Sequence, residues 1–157
     1  MYKKLVFITF LLVIFDQITK VLISFNMHLN QSINIIPNFF SLKYVINYGA
    51  AFSLFNGYRF IFIILALIFL YVIYIWFINN KDLNKLNVIS YSLLISGIIG
   101  NLIDRVVYGY VIDFLSFNIL GYPFAIFNLA DSFIVISIIL ILIGDKNGRN
   151  NSRKRRN

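Results

Sequence analysis

Four apolar stretches, separated by short polar connectors, set the first reading of this chain. Residues 5–25, 58–78, 86–108 and 124–143 are each close to the roughly 20 helical residues that cross a ~30 Å hydrocarbon layer. They predict an all-α membrane protein, a four-transmembrane-helix bundle occupying residues 1–144. The polar stretch 145–157 is read as a disordered basic tail. Between the first two spans the pattern changes. Phe40, Leu42, Tyr44 and Ile46 alternate with Ser41, Lys43, Val45 and Asn47, a period of two that predicts a short strand. Asn47-Tyr48-Gly49 then predicts a turn. This piece reads either as a hairpin on the membrane surface or as a flap over a substrate. Val111 to Leu115, between the last two spans, reads as a second extended piece carrying one inward-turned carboxylate.

Polar residues inside the spans are informative because they are few. Asp16 and Lys20 lie one helical turn apart near the middle of the first span, able to pair with each other or with another span. In the third span Gly97, Gly100, Asn101 and Asp104 recur on one face, a small and polar stripe suited to protein and not to lipid. In the fourth, Asn128 and Asp131 share a face near its beginning.

Composition supports the membrane assignment. Of 157 residues 60% are hydrophobic and only 13% charged, with mean hydropathy +0.82, which is outside the range of soluble domains. The net charge of +8 is a topology signal more than a nucleic-acid one. Ten of the 14 basic residues, among them Lys3, Lys4, Lys81, Lys85 and the cluster after residue 145, fall at the two termini and one loop. Bases flanking spans mark the cytoplasmic side. Both termini and the loop near 79–87 are therefore expected inside, and the connectors 26–57 and 109–123 outside. The start of the chain resembles a secretory signal, but no small-residue cleavage site follows, so an uncleaved first span is expected. There is no cysteine and a single histidine, which removes thiol chemistry and leaves no metal-ligand cluster. No metal and no cofactor are expected.

All six acids are Asp, and this topology brings Asp104, Asp113 and Asp131 to one level near the outer boundary. Two carboxylates close together cannot both ionise easily, so such a pair shares a proton near neutrality. One can then draw a proton from water while the other protonates a carbonyl oxygen, which is the chemistry of aspartyl peptide hydrolysis. Arg105 beside Asp104 favours an ionised brace there, and so favours the pair Asp113/Asp131. The reading in which all three acids only hold helices together stays open.

The residues also resemble a known family. DQITK at 16–20, NYGAAFS at 47–53, GNLIDR at 100–105, VIDF at 111–114 and FNLAD at 127–131 together resemble the lipoprotein signal peptidases, or signal peptidase II, bacterial aspartyl proteases of four spans. The resemblance covers the chain except its basic tail. It implies that Asp113 and Asp131 are the catalytic dyad, with Asp16, Lys20, Asn47, Gly49, Ala50, Asn101, Asp104, Arg105, Asn128 and Ala130 lining or bracing the site. It implies a small extracytoplasmic β-rich cradle, no cofactor, and a location in the bacterial cell membrane with the site near its outer face. The implied substrate is a diacylglyceryl-modified prolipoprotein, cut just before the lipidated cysteine. Membrane lipid is the other expected partner, nucleic acid is not, and a monomer is expected. Two rivals exist. Lys20 and Ser24 share the spacing of a Ser/Lys peptidase, but Asp16 would keep that lysine charged. A non-enzymatic proton or ion relay through Asp16, Asp104 and Asp131 would need a further acid in the inner half of the bundle, which offers none.

Overall fold

The computed structural model describes residues 1–49, 57–79 and 84–154, with side chains described to residue 144 apart from 78 and 79. Ala50 and residues 80–83 of the 79–87 loop lie outside the described residues. The chain is mostly helical, with a small antiparallel sheet. In order it forms α1 (Tyr2–Asn26), β1 (Ser32–Ile36), β2 (Phe40–Asn47), α2 (Arg59–Asn79), α3 (Lys85–Val107), β3 (Val111–Ile119), β4 (Tyr122–Pro123) and α4 (Leu129–Lys154).

The first three helices are long and apolar enough to cross a membrane. Their large apolar side chains are widely exposed, as on Phe10, Ile64, Phe69 and Tyr71. Water would not tolerate such a surface, whereas acyl chains would. The fourth helix differs from the predicted span at both ends. It begins at Leu129 and not near 124, so its apolar part, Leu129–Gly144, is only about 24 Å long at 1.5 Å per residue. Residues before it are extended because Phe127 is tied to β3: its carbonyl accepts from the amides of Phe114 (3.0 Å) and Leu115 (2.7 Å). At the other end the helical backbone continues to Lys154, where the sequence predicts disorder.

The sheet has the order β1-β2-β3-β4. The predicted strand at 40–47 is β2, and Val111–Leu115 opens the longer β3. Their register pairs Val45 with Asp113 and Asn47 with Val111. A hydrophobic core of Met27, Tyr44, Ile112 and Phe114, joined by Ile23 and Leu129, glues the sheet to the ends of α1 and α4. At the C-terminus of α3, Asp104 accepts from the amides of Tyr108 and Gly109. Gly109, at φ +85°, then sends the chain into β3 through a conformation that a side chain disfavours.

α3 is the centre of the bundle and packs on α4, α1 and α2. Its small stripe makes the closest approach. A Cβ on Gly97 would run into the Ala130 carbonyl and the Ile134 side chain, and one on Gly100 would sit 2.5 Å from an Asp16 carboxylate oxygen. Gly97→Ala is therefore expected to push α4 outward and destabilise the fold by roughly 1–3 kcal/mol, the usual cost of overpacking. Thermal unfolding in detergent checks this; an unchanged midpoint would mean that the helices are not held at this distance.

Candidate active site

At the sheet end of the bundle, α1, α3, α4, β2 and β3 deliver polar side chains into one network. Its base is Lys20, which is fully buried. The ammonium meets Asp16 at 2.9 Å and Asp104 at 3.0 Å, and donates to the Asn101 side-chain oxygen at 3.1 Å. Three N–H donors thus find three acceptors. The remaining carboxylate capacity is also used. Asp16 accepts from the amide of Ala130 (3.0 Å), and Asp104 from the amide of Ile112 (3.2 Å). Gln17 donates to Asp104 (2.9 Å), Asp16 (3.2 Å) and the Gly100 carbonyl (3.2 Å). Three helices and the first residues of β3 are locked together by these bonds.

The partner of Asp104 corrects one expectation. The sequence predicts a brace formed with Arg105, but adjacent helical residues point about 100° apart, and the ion pair is with Lys20. Arg105 turns instead toward the β2 side. Its guanidinium donates to the carbonyls of Gly49 (3.1 Å) and Asn101 (3.3 Å) and lies over the Phe62 ring at 4.8 Å.

Above this base sit the other two acids. Asn128 precedes α4 and forms a reciprocal cap with Asp131: the Asp131 amide donates to the Asn128 side-chain oxygen (3.0 Å), and the Asp131 carboxylate accepts from the Asn128 amide (3.1 Å). This is the geometry of a capping box, with Asp at its third helical position. The Asn128 amide group then donates to Asp113 (2.7 Å) and to Asn101 (3.1 Å). Asn101 donates to Asp131 at 2.7 Å, and Asn47 donates to Asp113 at 2.8 Å. Asn47 is itself held by the Gly49 amide at 2.9 Å. Each acid is therefore oriented by two donors. Among the proposed site residues, Asp16, Lys20, Asn101, Asp104, Asn128 and Ala130 are brought into the same contiguous network, with Asn47, Gly49 and Arg105 at its rim.

Asp113 is almost fully buried. Burial and, next, the charge of Asp131 raise its pKa from 3.8 to about 7, against the Asn47 and Asn128 hydrogen bonds and the Lys20 charge, which lower it. An acid of this kind takes up and releases its proton near neutral pH beside a second carboxylate, the condition for paired acid and base work. Activity that needs one proton on the pair should fall as pH rises through about 7, and fall again in acid as the second proton binds. Folding is linked to the same group. Because the folded-state value is the higher one, its stabilising contribution is full below about 4 and is lost as pH rises toward 7. A pH profile of cleavage checks the first effect; a rate that stays flat from pH 6 to 9 would contradict it.

Asp113 and Asp131 line a cleft of about 570 Å³ together with Asn47, Gly49, Asn101 and Arg105. The rest of its lining is largely apolar, with Phe124 to Phe127 and Ile134 to Ile136. Among the described residues no group of three or more His, Cys, Asp or Glu side chains could hold a metal ion. Gln17 has a structural role that sequence reasoning passed over, although it stands inside the DQITK motif. A polar side chain next to a buried acid in mid-span was the available signal.

With this geometry in place, comparisons with known proteins are informative. A family model described as signal peptidase (SPase) II matches residues 8–145. A lipoprotein signal peptidase of Staphylococcus aureus strain bovine RF122 / ET3-1 is 41% identical over 138 residues, which cover 88% of this chain and 85% of the relative. The lipoprotein signal peptidase of strain MRSA252 has the same identity and coverage. Among solved structures, one described as a bacterial membrane enzyme structure by the in meso method at 2.3 Å resolution superposes with a TM-score of 0.86. It is 39% identical, over 94% of this chain and 90% of its own. A second, at 1.9 Å, gives a TM-score of 0.81 at 40% identity, over 89% and 90%.

Proposed function

The chain belongs to the signal peptidase II family, and from that premise we propose that Asp113 and Asp131 hydrolyse the signal-peptide bond of a lipid-modified prolipoprotein at the membrane boundary. The enzyme is a protease that removes signal peptides from prolipoproteins in a multi-pass bacterial membrane protein framework. The observation that carries the catalytic assignment is the shared Asn128 bridge. It binds both carboxylates, and the pair faces one cleft whose lining is otherwise largely apolar.

In the proposed reaction the pair begins with one proton. The ionised carboxylate takes a proton from water as the oxygen attacks the scissile carbonyl, and the protonated one gives its proton to the carbonyl oxygen. Collapse of the resulting diol breaks the C–N bond, with the departing amine protonated by the pair. The result is a carboxylic acid, an amine and a pair again holding one proton. With one proton on the pair, the base is its ionised member. Arg105 places a fixed positive charge at the rim. Asp16, Lys20 and Asp104 act through position, by holding α1, α3 and the start of β3 against α4.

The proposed orientation follows the basic residues. Both termini and the 79–87 loop face the cytoplasm and the sheet lies outside, as a cradle over a bundle of four spans. A diacylglyceryl group on the substrate cysteine would lie along the apolar cleft wall and hold the peptide bond just before it against the acids. Diffusion in the bilayer plane then delivers substrate, so capture from water is not needed. Purified enzyme in vesicles should cut a diacylglyceryl-modified prolipoprotein immediately before its cysteine, and cut the unmodified form at least about 100-fold more slowly, since the remote anchor supplies positioning energy. Equal rates on both forms would remove the lipid from the recognition. An ion flux with no cleavage would favour a relay.

A further inference from the structure

The hairpin between β3 and β4 turns through Leu120 and Gly121, at φ 53° and 87°, with Ile119 and Tyr122 paired across it. Two central residues at positive φ are the mark of a type I′ turn, where Asn-Gly or Asp-Gly is favoured. A leucine there is rare, because its Cβ crowds the backbone. Leu120 is also 94% exposed, the highest value among the large hydrophobic side chains described; Phe25, at the end of α1, follows at 84%. In water such a residue would be strained and unburied at once. In lipid the exposure becomes burial, which offsets the strain.

The strand that carries this tip is held against the ends of α1 and α4. β3 leaves from the end of α3, yet Leu115 in its middle bridges to Phe127, two residues before α4 begins at Leu129. The middle of the strand is therefore tied to the chain just before α4, and the turn follows beyond that tie. Around the turn Ile119, Tyr122 and Phe124 are exposed as well. From Phe114 to Ala130 the chain carries no charged residue, so no charge in it resists approach to the headgroup and acyl-chain boundary. Aliphatic residues with an exposed tyrosine are the composition of an interfacial anchor.

We propose that the Leu120–Gly121 turn is a membrane anchor, inserted at the boundary between headgroups and acyl chains in the leaflet at the sheet end. It pins the far end of the strand whose near end carries Asp113, and so sets the depth of that acid relative to the lipid. This surface does not depend on which residues perform the hydrolysis.

The protein has no cysteine, so Leu120→Cys and, separately, Tyr122→Cys each provide one attachment point for a fluorescent label. Each labelled variant is placed in vesicles of phosphatidylglycerol and phosphatidylcholine. Emission is then measured against a doxyl group carried near the glycerol end of an acyl chain, and against iodide in the water. Insertion predicts quenching by the lipid-borne group severalfold stronger than by iodide at position 120, without added substrate. Iodide quenching with no effect of the lipid-borne group at both positions would overturn the anchor. So would lipid quenching that appears only after prolipoprotein is added, because the tip would then touch substrate and not bilayer. If labelled Leu120→Cys has lost its cleavage activity, the same readout at Tyr122→Cys decides.

Discussion

Lys20→Met is expected to cost about 3–5 kcal/mol of stability, and to lower the unfolding midpoint in detergent by about 10 °C or more. Methionine matches the length of the lysine stem but brings no charge. Asp16 and Asp104, both fully buried, would lose the cation that meets each of them within 3.0 Å. Asn101 would lose its donor on the same side. The remaining donors, from Gln17, Ala130 and Ile112, are neutral and do not replace a counter-charge. Adding Asp16→Asn and Asp104→Asn to Lys20→Met removes the uncompensated charges, so the triple variant should recover part of the loss. A Lys20→Met protein with an unaltered midpoint would show that the cation is not what holds the two acids.

Asp113→Asn and Asp131→Asn should each lower turnover by about 10³-fold or more, because a lone carboxylate cannot supply both the base and the acid of the hydrolysis. The two changes should do this with the fold intact. Asn is isosteric with Asp, and each substituted side chain keeps one oxygen able to accept from Asn128, Asn101 or Asn47. The cost is about one lost or weakened hydrogen bond, on the order of 1 kcal/mol. Asp104→Asn makes a useful contrast. It alters the Lys20 network, so its main effect should appear in the unfolding midpoint.

Much of the helical framework was legible in the sequence because an apolar run of about 20 residues has few other uses. The start of α4 was not. Phe124 to Phe127 is as apolar as the helix that follows, and hydrophobicity alone does not separate a strand from a helix in so short a run. What decides it is the pairing of Phe127 with Leu115, a contact made across the fold. The same limit hid β1, whose residues are all exposed and show no buried face to alternate with. At the site, the candidate acids could be named from their cost in an apolar setting, but their partners could not. Asp104 stands beside Arg105 in sequence and pairs with Lys20 in space, 84 positions away. The double role of Asn128, cap of α4 and bridge between Asp113 and Asp131, needed the position of β3 to be visible.

The central claim, that Asp113 and Asp131 work as one proton-sharing pair, is tested most directly by single-turnover cleavage of a diacylglyceryl-modified prolipoprotein. Wild type, Asp113→Asn, Asp131→Asn and the double variant would be compared in vesicles, after their unfolding midpoints have been matched. A pair acting as a unit predicts that both single variants lose activity by about 10³-fold or more, and that the double variant is scarcely worse than either. Near-normal cleavage by either single variant would contradict it, as would losses that multiply in the double variant.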